Sequence, residues 1–457
     1  MRVLGIDIGT TTISAVIVND NNCDVERAYT IKNDSFIKTI HDWEQIQDPD
    51  KIIFKVRKII DEVFETYSDI SAIGITGQMH GIVYVDKSGK HISPLYTWQD
   101  MRGNEEIQFS ESVCDMIYTK YNQKVYTGYG LVTHIYNGLY GLIPEGASKI
   151  CTIMDYLGMV LTGRSTPLVH SSNAASFGLF DTEKACFFNE IIKDLNLDEK
   201  ILPQIINDFS LLGTYKGTPV CVAIGDNQAS FLGSVRDEEN SVLVNIGTGA
   251  QISVMSDVYF EAIGIETRPF IGHKFLLVGS SLCGGRAYAV LENFFREYAE
   301  ALNVNEVNHY DIMEKLLRNR RENNEKLIVR TTFTGTREEP EKHGSIQNIT
   351  IDNWNPASLI HGFLEGIVDE LFGMYENILK GTLKKENMIA SGNGIRKNHY
   401  LQDIMSEKFS MSVKMAKCEE EAAYGAALYG LFATDKKSLE KILGTKNISN
   451  NLCDNMV

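Results

Sequence analysis

A strand–turn–strand pattern that occurs twice, more than two hundred residues apart, is the strongest constraint on how this chain can fold. Residues 1–20 read MRVLGIDIGTTTISAVIVND, and residues 241–257 read SVLVNIGTGAQISVMSD. In the first, Val3 to Ile8 and Ile13 to Val18 are short apolar runs with β-branched residues, joined by Gly9, Thr10, Thr11 and Thr12. That is the pattern of a β-hairpin. Its turn presents one acid, Asp7, beside a glycine that lets the backbone approach a ligand and hydroxyls that donate hydrogen bonds along with turn N–H groups. Such a turn can hold phosphate, and taken alone it fits an ordinary hairpin equally well. The second copy tips the balance. Val242 to Ile246, the turn Gly247-Thr248-Gly249 and Ile252 to Met255 repeat the design, with Asn245 at the place of Asp7. A repeat at this distance implies two related lobes, each bringing a phosphate-type turn to a shared cleft.

A length of 457 residues is too great for one ordinary core and indicates two domains. Hydrophobic content of 43% and charged content of 23% are those of a soluble globular protein. The formal net charge of -16 argues against a nucleic-acid or anionic-membrane surface, since neither attracts an acidic protein at long range. It leaves an ATP site open, because phosphate there is held by local N–H groups and a metal ion. The eight cysteines are singletons without metal-ligand spacing and read as buried, reduced thiols of a cytoplasmic protein. The first residues enter a strand directly with no basic-plus-apolar leader, and no apolar run is long enough to cross a bilayer, so a cytoplasmic location is expected.

Along the chain, Asp48 and Pro49 supply an N-cap and first-turn proline for a helix that runs to Tyr67. Ile70 to Ile75 is a buried strand ending in Thr76-Gly77-Gln78-Met79-His80-Gly81, polar groups at a strand end where α/β proteins place ligands. His80 by itself reads more simply as a hydrogen-bonded structural histidine. Ser93 to Arg102, SPLYTWQDMR, sets Trp98, Asp100 and Arg102 close together. An aromatic face with a carboxylate and a guanidinium suits a polyol, while the plain structural reading is a Trp packed in a lid and an Asp–Arg surface pair of little weight. From Asn104 to about Gly213 the pattern is helical and loop-rich, with Gly128 to His134 and His170 to Asp181 read as polar, small-residue loops. Pro219 to Ile224 is a strand ending in Gly225-Asp226-Asn227-Gln228. Asp226 there is placed for reaction at a cleft, or else caps a helix.

The charged stretch Arg236 to Asn240 marks the domain boundary, giving 1–236 and 237–457. In the second half, Phe275 to Leu282 leads to Cys283-Gly284-Gly285-Arg286 and a helix from Ala287 to Ala301. Thr331 to Ile346 is a strand and long loop with Gly335, Arg337 and Gly344, and Pro356 starts a long amphipathic helix. Met388 to Ala390 is a strand followed by the close-approach turn Ser391-Gly392-Asn393-Gly394, and Glu419 to Phe432 is a helix rich in small residues. The tail 446–457 is polar and expected to fray.

These motifs, in this order from residue 1 to about 433, resemble the sugar-kinase branch of the actin and hexokinase superfamily, and more narrowly the FGGY carbohydrate kinases. The resemblance implies an α/β fold of two actin/hexokinase-like (ribonuclease H-like) domains with an interdomain cleft. The first, 1–236, would bind sugar and the second, 237–457, nucleotide. It implies ATP and Mg2+, with Asp7 near the metal-bound phosphates and Gly9, Thr10 and Thr11 around them. Gly247, Thr248 and Gly249 match the second phosphate motif, and Gly284, Gly285, Gly392, Asn393 and Gly394 match positions against the nucleotide. The catalytic aspartate falls on Asp226, with Asn227 beside it as a sugar contact. Gln78, Met79 and His80 look like the ketose-binding segment of xylulokinases and sedoheptulokinases, and Thr97-Trp98-Gln99-Asp100 resembles the sedoheptulokinase form.

The resemblance therefore implies transfer of the ATP γ-phosphoryl group to the terminal hydroxyl of a ketose, sedoheptulose before xylulose. Gln78, His80, Trp98, Asp100 and Asn227 would orient the sugar. The partners implied are a small-molecule ketose and ATP, with no nucleic acid and no membrane; a homodimer is left open. A reading from another class, a nucleotide switch or catalytically idle sugar sensor of the same fold, is disfavoured by an acid kept beside a sugar site.

Overall fold

The computed structural model describes residues 1–107, 111–304, 307–320, 326–336, 339 and 341–435. Arg337 and the tail 446–457 lie outside the described residues. The chain forms two compact units. Unit 1 comprises Met1–Arg236, Arg268–Phe275 and the chain from Glu420, and unit 2 comprises Asp237–Thr267 and Leu276–Glu419.

Twelve strands build the two main sheets. They are β1 (Arg2–Ile8), β2 (Thr12–Asn19), β3 (Val25–Lys32), β4 (Ile70–Gly77), β5 (Leu211–Tyr215), β6 (Thr218–Cys221), β7 (Ser241–Ile246), β8 (Ala250–Ser256), β9 (Ile265–Pro269), β10 (Phe275–Ser281), β11 (Asn387–Ser391) and β12 (Val413–Met415). Five helices matter most for the site: α1 (Pro49–Thr66), α2 (Asp226–Ser234), α3 (Gly284–Ala301), α4 (Pro356–Ile378) and α5 (Glu421–Thr434).

The sheet of unit 1 runs β5-β6-β4-β1-β2-β3, and that of unit 2 runs β9-β10-β8-β7-β11-β12. Apart from one added edge strand in each, the orders β3-β2-β1-β4-β6 and β10-β8-β7-β11-β12 are the same. In each, an antiparallel hairpin takes a parallel neighbour beside its first strand: β4 beside β1, β11 beside β7. The duplicated hairpin in the sequence is thus the centre of a duplicated sheet. Central strands covered on both faces must be apolar almost throughout, and Val3, Leu4, Ile6 and Ile8 are fully buried.

Local signals set the helix ends. The Asp48 side chain accepts from the Lys51 amide at 3.2 Å ahead of Pro49 in α1, and Asn355 does the same for Ser358 at 2.9 Å ahead of Pro356 in α4. Helix α5 is buried on nearly every side, with Ala423 through Phe432 all inside unit 1. Glycines bring neighbouring backbones onto it. A Cβ on Gly5 would lie 2.0 Å from the Ala423 carbonyl oxygen, and one on Gly74 would lie 1.7 Å from that of Ala426. On the other side, a Cβ on Gly425 would lie 1.7 Å from the Ala229 carbonyl oxygen of α2. So α5 lies at backbone contact with β1, β4 and α2, which is why the end of the chain counts with unit 1.

Several local expectations change. Residues 130–139 and 171–175 are helical rather than looped, and nearly all of them are buried; their small residues serve close packing. Gly284 and Gly285 lie inside the first turn of α3, not ahead of it. Of the seven described cysteines, Cys186 is exposed and Cys114 and Cys418 are half-buried, so they are not uniformly core residues.

Candidate active site

In unit 1 the first hairpin turn, the segment after β4 and the Trp98 loop are tied into one hydrogen-bonded ring. The Gln78 amide donates to the Ile8 carbonyl at 2.9 Å, carrying the register of β1 and β4 past the strand ends. Its side-chain Nε2 donates to Gln47 Oε1 at 2.9 Å, and Gln47 Nε2 donates to the Thr10 carbonyl at 2.9 Å. Thr10 Oγ1 in turn donates to Gln78 Oε1 at 3.3 Å and accepts from Trp98 Nε1 at 2.9 Å. Trp98 is therefore joined to the phosphate-type turn, and the residue is 45% exposed. Gly9 and Thr11 complete that turn; the Gly9 carbonyl accepts from Asn33 Nδ2 at 2.8 Å, and the Thr11 carbonyl accepts from the Asn33 amide at 2.8 Å.

His80 is held in an unusual backbone conformation, φ 72°, of the kind that costs free energy and persists where the surroundings over-determine it. Ser176 supplies the surroundings. Its hydroxyl accepts from the His80 amide at 3.0 Å, and its carbonyl lies 2.9 Å from His80 Nδ1. A carbonyl can only accept, so Nδ1 carries the proton in the neutral ring and Nε2 is the acceptor. The imidazole stacks on Tyr129 with centroids 4.6 Å apart.

Asp100 is placed differently from the expectation. It is fully buried, and its carboxylate accepts from Arg102 Nε at 2.7 Å, from Arg102 Nη2 at 3.0 Å and from the Gln45 amide at 3.1 Å. Arg102, 2% exposed, also reaches Asn137 Oδ1 at 2.6 Å and lies over the Tyr96 ring at 4.3 Å. The pair is not a surface ion pair, and its carboxylate is already occupied by Arg102 and Gln45. It is a satisfied buried pair that fixes the Trp98 loop, and breaking one partner of such a pair is costly.

Asp226 is the first residue of α2, with Gly225 as the cap, so it is not the capping side chain. The turn is packed tightly: a Cβ on Gly225 would fall 2.7 Å from Met79 Sδ, and the Gly225 amide donates to Ser172 Oγ at 3.0 Å. Met79 thus packs under the acid and is buried. Asn227 Nδ2 donates to Asp226 Oδ1 at 2.9 Å, while Asn227 Oδ1 is buried with no partner among the described residues. An orphaned buried acceptor calls for a donor such as a ligand hydroxyl.

Charge is concentrated here. Burial raises the Asp226 carboxyl above the usual carboxylate range, opposed by the Asn227 hydrogen bond and the Arg268 guanidinium. Burial pushes Asp7 up to about 7, with the charges of Asp226 and Glu420 adding to it. Among the described residues no group of three or more His, Cys, Asp or Glu side chains is arranged to hold a metal ion. One or two carboxylates with repelling charges do suit a Mg2+ that keeps its waters and substrate phosphates as its other ligands.

The raised Asp7 carries a pH consequence. In the folded chain it keeps its proton to about pH 7, whereas an unfolded chain releases it near the ordinary 3.8. The stability from this group is therefore complete below about pH 4 and is lost as pH rises toward 7. Without added metal or nucleotide, Asp7→Asn is expected to raise the calorimetric Tm by an amount that grows between these pH values and then levels off. A difference independent of pH would refute the assignment.

In unit 2, three glycine-bearing segments meet at the Gly247-Thr248-Gly249 turn. The Gly285 amide donates to the Gly247 carbonyl at 3.0 Å, and the Arg286 amide donates to the Thr248 carbonyl at 2.9 Å. The start of α3 is thus docked on the turn, and two of its amides are already used. Gly284 and Gly285 are required by this docking, since Cβ atoms there would fall 2.5 Å from the Gly249 backbone and 2.3 Å from the Gly247 oxygen. Gly392, at φ 88°, and Gly394 crowd the Ile246 carbonyl in the same way, at 2.5 and 2.8 Å. Asn393 opens a one-turn helix, Asn393–Arg396. Asn245, at the place of Asp7, donates to Ser391 Oγ at 2.7 Å and ties β7 to β11. Gly247 is different: a Cβ there would meet nothing within 4 Å.

Two family models cover nearly the whole chain: the N-terminal domain of the FGGY family of carbohydrate kinases over residues 2–233, and its C-terminal domain over 242–434. The chain belongs to the FGGY family of carbohydrate kinases. It is similar to sedoheptulokinase of Mus musculus, 26% identical with 93% of this chain and 96% of the relative covered. It is also similar to xylulose kinase of Staphylococcus xylosus, 24% identical with 93% and 89% covered. Among solved structures, the ligand-bound xylulose kinase of Lactobacillus acidophilus matches with a TM-score of 0.82 at 18% identity, over 96% of this chain and 92% of that one. The fold is the two-domain actin/hexokinase-like fold of this family. The chain is an ATP-dependent carbohydrate kinase, and its substrates are a small-molecule sugar and ATP. Among its described residues no helix is long and apolar enough to cross a membrane.

Two residues of this kinase escaped the reading of the sequence, Gln47 and Arg268, while Tyr129 was noticed only as part of the Gly128–His134 segment. Gln47 is far from the β1 and β4 ends in sequence and carries no local motif. Arg268 lies in β9 within a segment that groups with unit 1. That segment is pinned to α2 by Gln228 Nε2 donating to the Pro269 carbonyl at 2.8 Å and by Phe270 against Phe231 at 5.7 Å. Periodicity holds no sign of such an excursion.

Proposed function

We propose that the chain transfers the γ-phosphoryl group of ATP to the terminal primary hydroxyl of a ketose, sedoheptulose in the first instance, giving sedoheptulose 7-phosphate. The observation that carries this reading is the packing of the Gln78-Met79-His80 segment against the turn that presents Asp226, with an orphaned Asn227 oxygen beside the acid. Similarity to a sedoheptulokinase over 93% of this chain supports the choice of ketose.

In this mechanism Asp226 accepts the hydroxyl proton as the oxygen attacks, which requires it within about 3 Å of that oxygen. The transition state of phosphoryl transfer is loose, so positioning and charge stabilisation carry most of the catalysis. His80 Nε2 and Asn227 Oδ1 accept from sugar hydroxyls, and Trp98 offers an apolar face. Arg268 balances the charge of Asp226. In unit 1 the turn Gly9-Thr10-Thr11 would offer its amides and the Thr11 hydroxyl to phosphate, and in unit 2 Gly247, Thr248 and Gly249, with Gly392, Asn393 and Gly394, would bind the nucleotide. Mg2+ would be held through Asp7 and would neutralise phosphate charge when bound. Cys114, Cys151, Cys186, Cys221 and Cys283 are free thiols, which supports a reducing compartment such as the cytoplasm.

The deciding measurement is coupled ADP release with Mg-ATP and, in parallel, sedoheptulose, xylulose, ribulose, fructose and glycerol. Preference for sedoheptulose supports the reading; preference for xylulose keeps the roles and changes the sugar; no sugar-dependent turnover rejects it. A second test separates nucleotide contact from packing in unit 2. Gly247→Ala is expected to leave Tm unchanged and raise the KM for ATP about tenfold, the scale of a lost charge-assisted hydrogen bond. Gly285→Ala is expected to lower Tm, because its Cβ meets the Gly247 carbonyl. An unchanged KM in Gly247→Ala would remove this turn from the nucleotide site.

A further inference from the structure

Asp226 follows Gly225, which has no side chain, so the turn ahead of the acid has to be held through its backbone. Side chains hold each of the residues leading up to it. Asn173 Nδ2 donates to the Ala223 carbonyl at 3.0 Å, Thr76 Oγ1 donates to the Ile224 carbonyl at 2.8 Å, and the Gly225 amide donates to Ser172 Oγ at 3.0 Å. The bond to Ser172 is the one next to the acid. A hydroxyl can rotate, and it offers Gly225 a lone pair steadily only if its own proton is directed elsewhere.

His170 directs it. The residue is fully buried, and burial pushes its imidazole down to about 3, so the ring is neutral near pH 7. The Ser172 amide donates to Nδ1 at 3.2 Å, which makes Nδ1 the acceptor and leaves the ring proton on Nε2. Ser172 Oγ lies 2.8 Å from the same Nδ1, so the hydroxyl donates there and keeps its lone pairs for Gly225. Local stability does not account for this choice of residue. Histidine is not a favoured capping residue, yet His170 caps the short helix Ser171–Ala175, and its Nε2 is buried with no partner among the described residues. Such an orphan calls for a reason. Just past the other end of that helix, Ser176 holds His80. One turn of helix thus spans from the acid to the histidine of the sugar segment, with a separate hydroxyl for each. A misplacement of about 1 Å between reacting groups can cost about a hundredfold in rate. We infer that Ser172, its hydroxyl set by His170, is a positioning residue for Asp226. This role rests on the reading of Asp226 as the base.

The test is a double-mutant cycle on the full chain, read by coupled ADP release with Mg-ATP and the sugar of highest turnover, with Tm recorded for each variant. Ser172→Ala is expected to lower kcat about tenfold and to keep the KM for sugar and for ATP within about twofold, because His80 has its own hydroxyl at Ser176. With Asp226→Asn already in place, Ser172→Ala should lower kcat by less than about twofold, since the placing of a base matters only while the base is present. A normal kcat in Ser172→Ala, a raised KM with kcat kept, or the same tenfold loss in both backgrounds overturns the inference and leaves Asp226 as the base. Near-normal turnover in Asp226→Asn overturns the base itself, and the role of Ser172 with it. Should Ser172→Ala fail to fold, the ring offers a second pair of variants. His170→Asn keeps an acceptor at the place of Nδ1 and should hold kcat within about threefold, whereas His170→Leu removes the acceptor and should lower kcat about tenfold. Equal kcat in His170→Asn and His170→Leu overturns the inference.

Discussion

Asp226→Asn is expected to keep the fold and the sugar affinity and to lower kcat a hundredfold or more, the scale of removing a positioned general base. The substitution is close to isosteric. An amide oxygen still accepts from Asn227 Nδ2, the bond that orients the side chain at 2.9 Å. What is lost is the capacity to take a proton. Burial is the main cause of the raised Asp7, and one of the two charges that add to it is removed at the same time, so the variant should be at least as stable as the parent near neutral pH. Turnover, sugar binding by calorimetry and Tm together separate the possibilities. Loss of turnover with retained binding and Tm assigns the base. Near-normal turnover would refute it, and loss of binding as well would make Asp226 a ligand for the sugar first.

Gly74→Val is expected to be the most damaging single change away from the chemistry, costing at least about 3 kcal/mol through forced overpacking. Its Cβ would stand 1.7 Å from the Ala426 carbonyl oxygen, and the obstacle is helix backbone rather than a flexible side-chain tip. At the scale of roughly 2–4 °C per kcal/mol for a unit of this size, Tm should fall by about 6–12 °C. Gly373→Ala in α4 is the control. Nothing lies within 4 Å of its added Cβ, so it should be neutral or stabilising by up to about 1 kcal/mol. Equal effects from the two would mean that α5 does not rest on the sheet at backbone contact.

How much of this was legible beforehand follows from the range of the forces involved. The two hairpins, the capped helices at Pro49 and Pro356 and the strand ending in Gly77 announce themselves locally, through periodicity, capping residues and glycine. Asp226 was visible because a polar residue closing a buried strand is rare enough to notice. The helix at 130–139 was hidden by its own composition: glycine, threonine and histidine read as loop, and only burial against neighbours far along the chain makes them helical. Asp100 was misread for a related reason. The residues WQDMR show an acid and a base but not that Gln45, Asn137 and Tyr96 close around them. The glycines of unit 2 were matched to nucleotide, and their first partners are the carbonyls of their own hairpin.

The place of α5 has a bearing on how the protein is made. Strands β1 and β4 leave the ribosome early, with Gly5 and Gly74 shaped to receive a helix that ends at Thr434. At synthesis rates of about 5–20 residues per second, that groove waits roughly 20–90 s for its occupant. During that interval the first unit is an incomplete layer with an apolar seat open to other nascent chains. Chaperone demand should therefore last until α5 has emerged, and a chain stopped short of α5 is expected to aggregate although the strands it would cover are already made.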